Sequence, residues 1–145
     1  MELRHNGRKY VAALSYGVVR RSCDQVFALL SNPGKHYTKA LPATSKVRFE
    51  SAGGNSRLWM RHGNALINGS YTAHFKASPE RGLVQFWLDH EKAKDVEDLF
   101  GYFRVSSWGP QQCLVTAAVA VDPGEGLVAS MFRGMISDYV AKSAG

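Results

Sequence analysis

A chain of 145 residues with 45% hydrophobic and 21% charged residues has the size and composition of one ordinary globular domain. Its net charge of +6 is scattered, with only Arg8-Lys9 and Arg20-Arg21 adjacent, so a nucleic-acid partner is not expected. The longest nearly apolar stretch, Gly126 to Phe132, is far too short to span a membrane, and no stable membrane insertion is expected.

Met1 to Lys9 is polar and lacks the apolar core of a secretory signal, which gives an expected cytoplasmic location. Residues 1–8 are expected to be a flexible segment ahead of a single domain at 9–145. Cys23 and Cys113 are far apart and outside any CxxC. They can form a disulfide or redox pair. The expectation here is two buried reduced thiols acting as small hydrophobes.

Tyr10 to Val19 is rich in β-branched and aromatic residues and reads as the first strand. Ser22-Cys23-Asp24-Gln25 matches a capping box, and Val26, Phe27, Leu29 and Leu30 follow at helical spacing. Asn32-Pro33-Gly34 is read as the stop of that helix, with a second short helix over Lys35 to Leu41. From Lys46 the period changes to two. Strands are predicted over Lys46–Glu50, Ser56–Leu66, Tyr71–Ser78, Leu83–Asp89, Glu97–Trp108 and Gln112–Asp122. Turns are read at Gly53-Gly54-Asn55, Asn68-Gly69, Pro79 to Gly82 and Gly109-Pro110, and a charged loop over His90 to Val96. After Pro123-Gly124 the helical period returns. Leu127, Val128, Met131, Phe132, Met135, Ile136, Tyr139 and Val140 form one wide apolar stripe.

The order is therefore β-α-α-β-β-β-β-β-β-α, an α+β class with about seven antiparallel strands. A twisted run of hairpins must bury one face, and one long C-terminal helix is available to cover it. A curved sheet and a straight helix mismatch in shape, which leaves room for an apolar ligand. Strand parity points Met60, His62, Asn64, Tyr71, Phe75, Phe86, Leu88 and Phe103 to the inner face. The same parity sends Trp59, Trp87, Phe100 and Tyr102 outward as an interaction surface, most simply for a homodimer. It also sends Asp89 outward.

That order, the capped first helix, the segment Glu97 to Val105 and the helix after Asp122-Pro123-Gly124 together resemble the START/Bet v 1-like (SRPBCC) superfamily. The resemblance covers residues 9–142, and its nearest flavour is the polyketide cyclase or coenzyme-Q-binding-like branch. It implies a helix-grip fold around an apolar cavity that takes lipids, sterols, polyketides, quinones or hormones. It implies no shared catalytic motif and no cofactor, so no catalytic residue transfers onto this chain.

Among polar residues, His62 is the candidate for ligand orientation or for general acid–base work; a wet position at the mouth of the fold is the alternative. Tyr71 and Tyr139 offer hydroxyls for a ligand's polar end, and Met60, Met131 and Met135 an adaptable lining. Asp89, Glu91, Asp95, Glu97 and Asp98 cluster with His90. Lys92 and Lys94 interleave with them at no metal-ligand spacing, so a solvated hairpin tip is expected in place of a metal site. No GxGxxG, P-loop, GxSxG or HExxH occurs. Three functions stay open: binding or carriage of an apolar small molecule, a polyketide cyclase/aromatase-type enzyme, and a protein-interaction module.

Overall fold

Period-two alternation commits most of this chain to hairpins, and the hairpins join into one sheet. The computed structural model describes residues 2–40, 44–52, 55–63 and 68–124. These form eight strands and two helices. In chain order they are β1 (Glu2–His5), β2 (Arg8–Val19), α1 (Cys23–Leu30), α2 (Pro33–Ala40), β3 (Thr44–Ala52) and β4 (Asn55–Gly63). Next come β5 (Asn68–Ser78), β6 (Leu83–Leu88), β7 (Asp98–Gly109) and β8 (Gln112–Asp122). The sheet runs β1-β2-β8-β7-β6-β5-β4-β3, and every pair is antiparallel.

Several elements differ from the sequence expectation. Residues 2–5 are not a loose segment but a strand, closed onto β2 by a tight turn at Asn6-Gly7. Both turn residues have positive φ, 50° and 75°, the conformation that a two-residue hairpin demands and that Asn-Gly tolerates. α1 ends at Leu30, just ahead of Asn32-Pro33-Gly34 as expected, but α2 begins at Pro33 and not at Lys35, and at that first helical position the missing proline N–H costs nothing. Asn68-Gly69 is not a turn either. Asn68 pairs with Gly63, so β5 has already begun and the connection is 64–67, outside the described residues. The expected C-terminal helix, with Met131, Met135 and Tyr139, also lies outside the described residues, as does Asn64.

The local signals that did hold are chemical. Ser22 Oγ accepts the Gln25 amide at 3.3 Å, and Gln25 Oε1 accepts the Ser22 amide at 3.4 Å, the reciprocal bonds of a capping box. The cap places Cys23 at the first turn of α1, against β8. Its Cα lies 5.1 Å from that of Cys113, and the two sulfurs are bonded. The expectation of reduced thiols is therefore corrected: packing of α1 on β7 and β8 brings together residues that the sequence separates by 90 positions.

The inner face is a continuous apolar core. Leu58, Met60, Tyr71, Ala73, Phe75 and Leu88 are buried there, with Val84 at 0% exposure. Gly101 matters because of its neighbours: it stands opposite Phe86 across the β6–β7 ladder. A Cβ at this position would meet the Ala118 carbonyl oxygen and the Phe86 ring. Tyr37 closes one end, donating its hydroxyl to the Leu30 carbonyl at 2.6 Å.

Two stability outcomes follow. Gly101→Ala should lower stability by about 1–3 kcal/mol in urea denaturation, because backbone or the Phe86 ring must shift. Cys113→Ser should cost about 2–5 kcal/mol, since the cross-link closes a long loop, and the loss should match that from reductant. An oxidised wild type no more stable than the reduced one would contradict the pairing.

Candidate functional site

On the inner face His62 is a buried polar side chain with a hydrogen-bonding partner at each ring nitrogen. β3–β4 register sets Thr44 opposite His62, and β4–β5 register sets Gly69 opposite it on the other side. Gly69 carries no side chain, and the ring of Tyr71, two residues on, stacks on the imidazole with centroids 5.4 Å apart and planes at 28°. His62 Nδ1 lies 3.1 Å from Thr44 Oγ1, and Nε2 lies 2.8 Å from the Tyr71 hydroxyl. That hydroxyl donates to Met60 Sδ at 3.8 Å, a weak acceptor. The tautomer sets the direction of both bonds: with the proton on Nδ1 the imidazole donates to Thr44 and accepts from Tyr71 at Nε2, and with the proton on Nε2 both directions reverse. Thr44, Met60, His62 and Tyr71 are each less than a tenth exposed. His62 is therefore not at a wet mouth, one of the two readings weighed for it.

Burial also sets the charge. It depresses His62 from 6.5 to about 4, because an imidazolium would lose its water. It pushes Tyr71 well above the usual phenol range. The pair is neutral at neutral pH.

The other inner-face candidates assemble beside this group. Phe75 meets Phe49 edge-on at 5.1 Å and faces Phe86 across the β5–β6 ladder; Phe86 tilts against Phe103 at 5.9 Å. Leu88 is joined through Ala73 to Leu58. Met60, His62 and Tyr71 thus form a polar end, and Phe75, Phe86 and Phe103 an aromatic one. Thr44 was missed by sequence reasoning, for its role comes only from the strand pairing.

The outer residues are less of a set. Arg48 and Arg61 lie over Trp59 at 4.5 and 5.5 Å from its ring, as cation–π partners. Trp87 stacks on His74 at 5.3 Å, and Phe100 meets Tyr10 edge-on at 5.3 Å. Tyr102 is half-buried.

Asp89 does not face solvent as expected. It is 3% exposed, accepting from Arg57 Nε at 2.9 Å and from the Glu91 amide. Burial alone would raise its pKa, but those hydrogen bonds and the nearby His74 and Arg57 charges outweigh it and lower it. Asp95 takes the Ser70 amide at 2.8 Å. Asp98 accepts the Tyr10 hydroxyl at 2.5 Å and contacts His90 at 3.1 Å. Acids of the 89–98 segment therefore pin strands. Among the described residues, no three potential metal ligands converge.

A cleft of about 430 Å³ lies elsewhere, between the β1–β2 hairpin and residues 122–124. Its charged lining, Glu2, Arg8, Lys9, Glu97 and Asp122, contains the pairs Lys9–Glu2 and Arg8–Asp122 and does not suit an apolar molecule.

His62 generates a pH prediction. Between about 6.5 and about 4 the unfolded chain binds a proton that the folded chain refuses. Folding stability should therefore fall as pH drops through that window, by on the order of 3 kcal/mol. His62→Gln should remove that component of the pH dependence in denaturation curves from pH 7 to 4. Wild-type and variant curves of the same slope would contradict a buried neutral imidazole.

No family model and no curated protein matches this sequence. Solved structures do match. The Zhui aromatase/cyclase from Streptomyces sp. R1128 superposes with a TM-score of 0.73 at 16% identity, over 93% of this chain and 87% of that one. A START superfamily protein from Mycobacterium smegmatis gives 0.68 at 12% identity, over 92% and 93%. Norcoclaurine synthase from Thalictrum flavum gives 0.56 at 19% identity, over 92% and 88%. No helix among the described residues is long and apolar enough to cross a membrane. At these identities the likeness is one of fold alone: the chain is similar in architecture to an aromatase/cyclase, a START superfamily protein and norcoclaurine synthase.

Proposed function

We propose that the inner face of the sheet binds an apolar small molecule, a lipid, quinone or polyketide-like ring system, and that the His62–Tyr71 pair anchors its one polar end. The observation that carries this reading is a neutral, hydrogen-bonded pair buried beside an aromatic face. The Tyr71 hydroxyl and the His62 imidazole are the polar groups there that a ligand carbonyl or quinone oxygen could meet. Phe75, Phe86 and Phe103 would then meet the ligand's rings through dispersion and edge contacts. Met131, Met135 and Tyr139, expected from the sequence to share this lining, lie outside the described residues. The likeness in fold to an aromatase/cyclase and to a START superfamily protein supports a ligand of this class.

A cyclase or aromatase activity rests on the same pair. It is the weaker reading because an imidazole whose conjugate acid has a pKa of about 4 is a poor base at neutral pH. Binding therefore comes first, with His62 and Tyr71 orienting rather than transferring protons.

Native mass spectrometry of freshly purified protein should find a co-purified apolar species. After its removal, titration with a hydroxynaphthoquinone should give saturable binding. Tyr71→Phe should weaken that binding about 5- to 10-fold, the loss of one hydrogen bond, and leave an oxygen-free aromatic hydrocarbon unaffected. A chain that comes out empty and binds neither probe would overturn the proposal.

A further inference from the structure

The two edges of the sheet are finished differently. β3 is one edge. It carries Lys46, Arg48 and Glu50 exposed on alternate positions, its pairing is irregular between Thr44 and Lys46, and Gly34 of α2 approaches Phe49. Charges and irregularities of this kind prevent a sheet edge from recruiting another strand. β2 is the other edge wherever β1 does not cover it. Among the described residues β1 pairs only with Arg8 to Val11, whereas β2 continues along β8 to Val19.

Antiparallel geometry says which groups are left open. In a two-residue hairpin the flanking residues, here His5 and Arg8, form a hydrogen-bonded pair. Arg8 and Tyr10 thus aim their backbone at β1. The same alternation aims the N–H and C=O of Ala12, Leu14, Tyr16 and Val18 at the edge that, among the described residues, no strand covers. The side chains of Leu14, Tyr16 and Val18 are 52%, 75% and 45% exposed on one face. From Ala12 to Val19 there is no charge and no proline, so none of the protection present on β3. The strand then ends at Arg20-Arg21, both exposed. Among the described residues no acid pairs with either arginine.

A second copy of this chain fits poorly. Antiparallel β2–β2 pairing would bring each Arg20-Arg21 toward the Arg8-Lys9 end of the other copy, and each chain carries +6. An acidic strand has the complementary charge. We propose that the open edge of β2, Ala12 to Val18, docks an extended segment of another protein that runs antiparallel to it, with alternating apolar residues and carboxylates at its N-terminal end. Backbone bonds to the four open residues supply the affinity, the apolar residues pack beside Leu14, Tyr16 and Val18, and the carboxylates meet Arg20 and Arg21. This surface is independent of the inner-face ligand.

The test uses the full chain and two labelled nine-residue peptides, each with seven alternating valines and threonines. One is preceded by two aspartates, the other by two lysines. Fluorescence anisotropy should show saturable, salt-sensitive binding of the acidic peptide. The lysine peptide, and the acidic peptide on Arg20→Glu/Arg21→Glu protein, should bind at least about tenfold more weakly. Hydrogen exchange by NMR should show the amides of residues 12, 14, 16 and 18 becoming protected on binding, while those of 13 and 15 are protected throughout. Equal binding of both peptides, no binding of either, or protection elsewhere would overturn the proposal. So would protection of the same four amides by concentration-dependent dimerisation without peptide, which would assign the edge to a second copy.

Discussion

One face of one sheet must leave water, and the strand registers decide which face. Ala13, Val119, Gly101, Phe86 and Phe75 stand in a single row across five strands, each opposite the next. Leu88, Ala73 and Leu58 make a second row. Slipping any strand by one residue would reverse every side chain in it, exposing the row and burying its polar alternates. The rows therefore hold one another in place. The bulky members need small ones opposite, which is why Gly101 lies under Phe86 and Ala73 between Leu58 and Leu88.

The candidate site is a local exception to that rule. Met60 and Tyr71 obey the apolar alternation, and the same parity carries His62 inward with them. Burial of an imidazole is tolerable when it is uncharged and both nitrogens are hydrogen-bonded. Thr44 and Tyr71 meet that condition. Satisfied polarity inside an apolar face is the property that turns a core into a recognising surface, because it fixes orientation without adding a charge.

On the outside, carboxylates act as fasteners. Asp89, Asp95 and Asp98 each join segments distant in sequence, through Arg57, the Ser70 amide and Tyr10. For Asp89 and Asp98 the cost of burial is offset by hydrogen bonds to the charged form. With the Cys23–Cys113 link between α1 and β8, they tie the helical and long-loop parts of the chain to the sheet. Among the described residues the β2 edge has no such protection, in contrast to the charged β3 edge of the same sheet.

Alternating hydrophobicity and one capping box were legible in the residues themselves. Because period two is local, Tyr71 to Ala77 and Leu83 to Leu88 declared both their strand type and their inward faces. Because a capping box spans four residues, Ser22 and Gln25 declared the start of α1. What tertiary structure alone decided were meetings across long separations: Cys23 with Cys113, Thr44 with His62, Asp89 with Arg57 and Tyr10 with Asp98. Each depends on strand order, on register and on where a helix comes to rest. Those are set by the packing of the whole sheet, so no short window of sequence contains them.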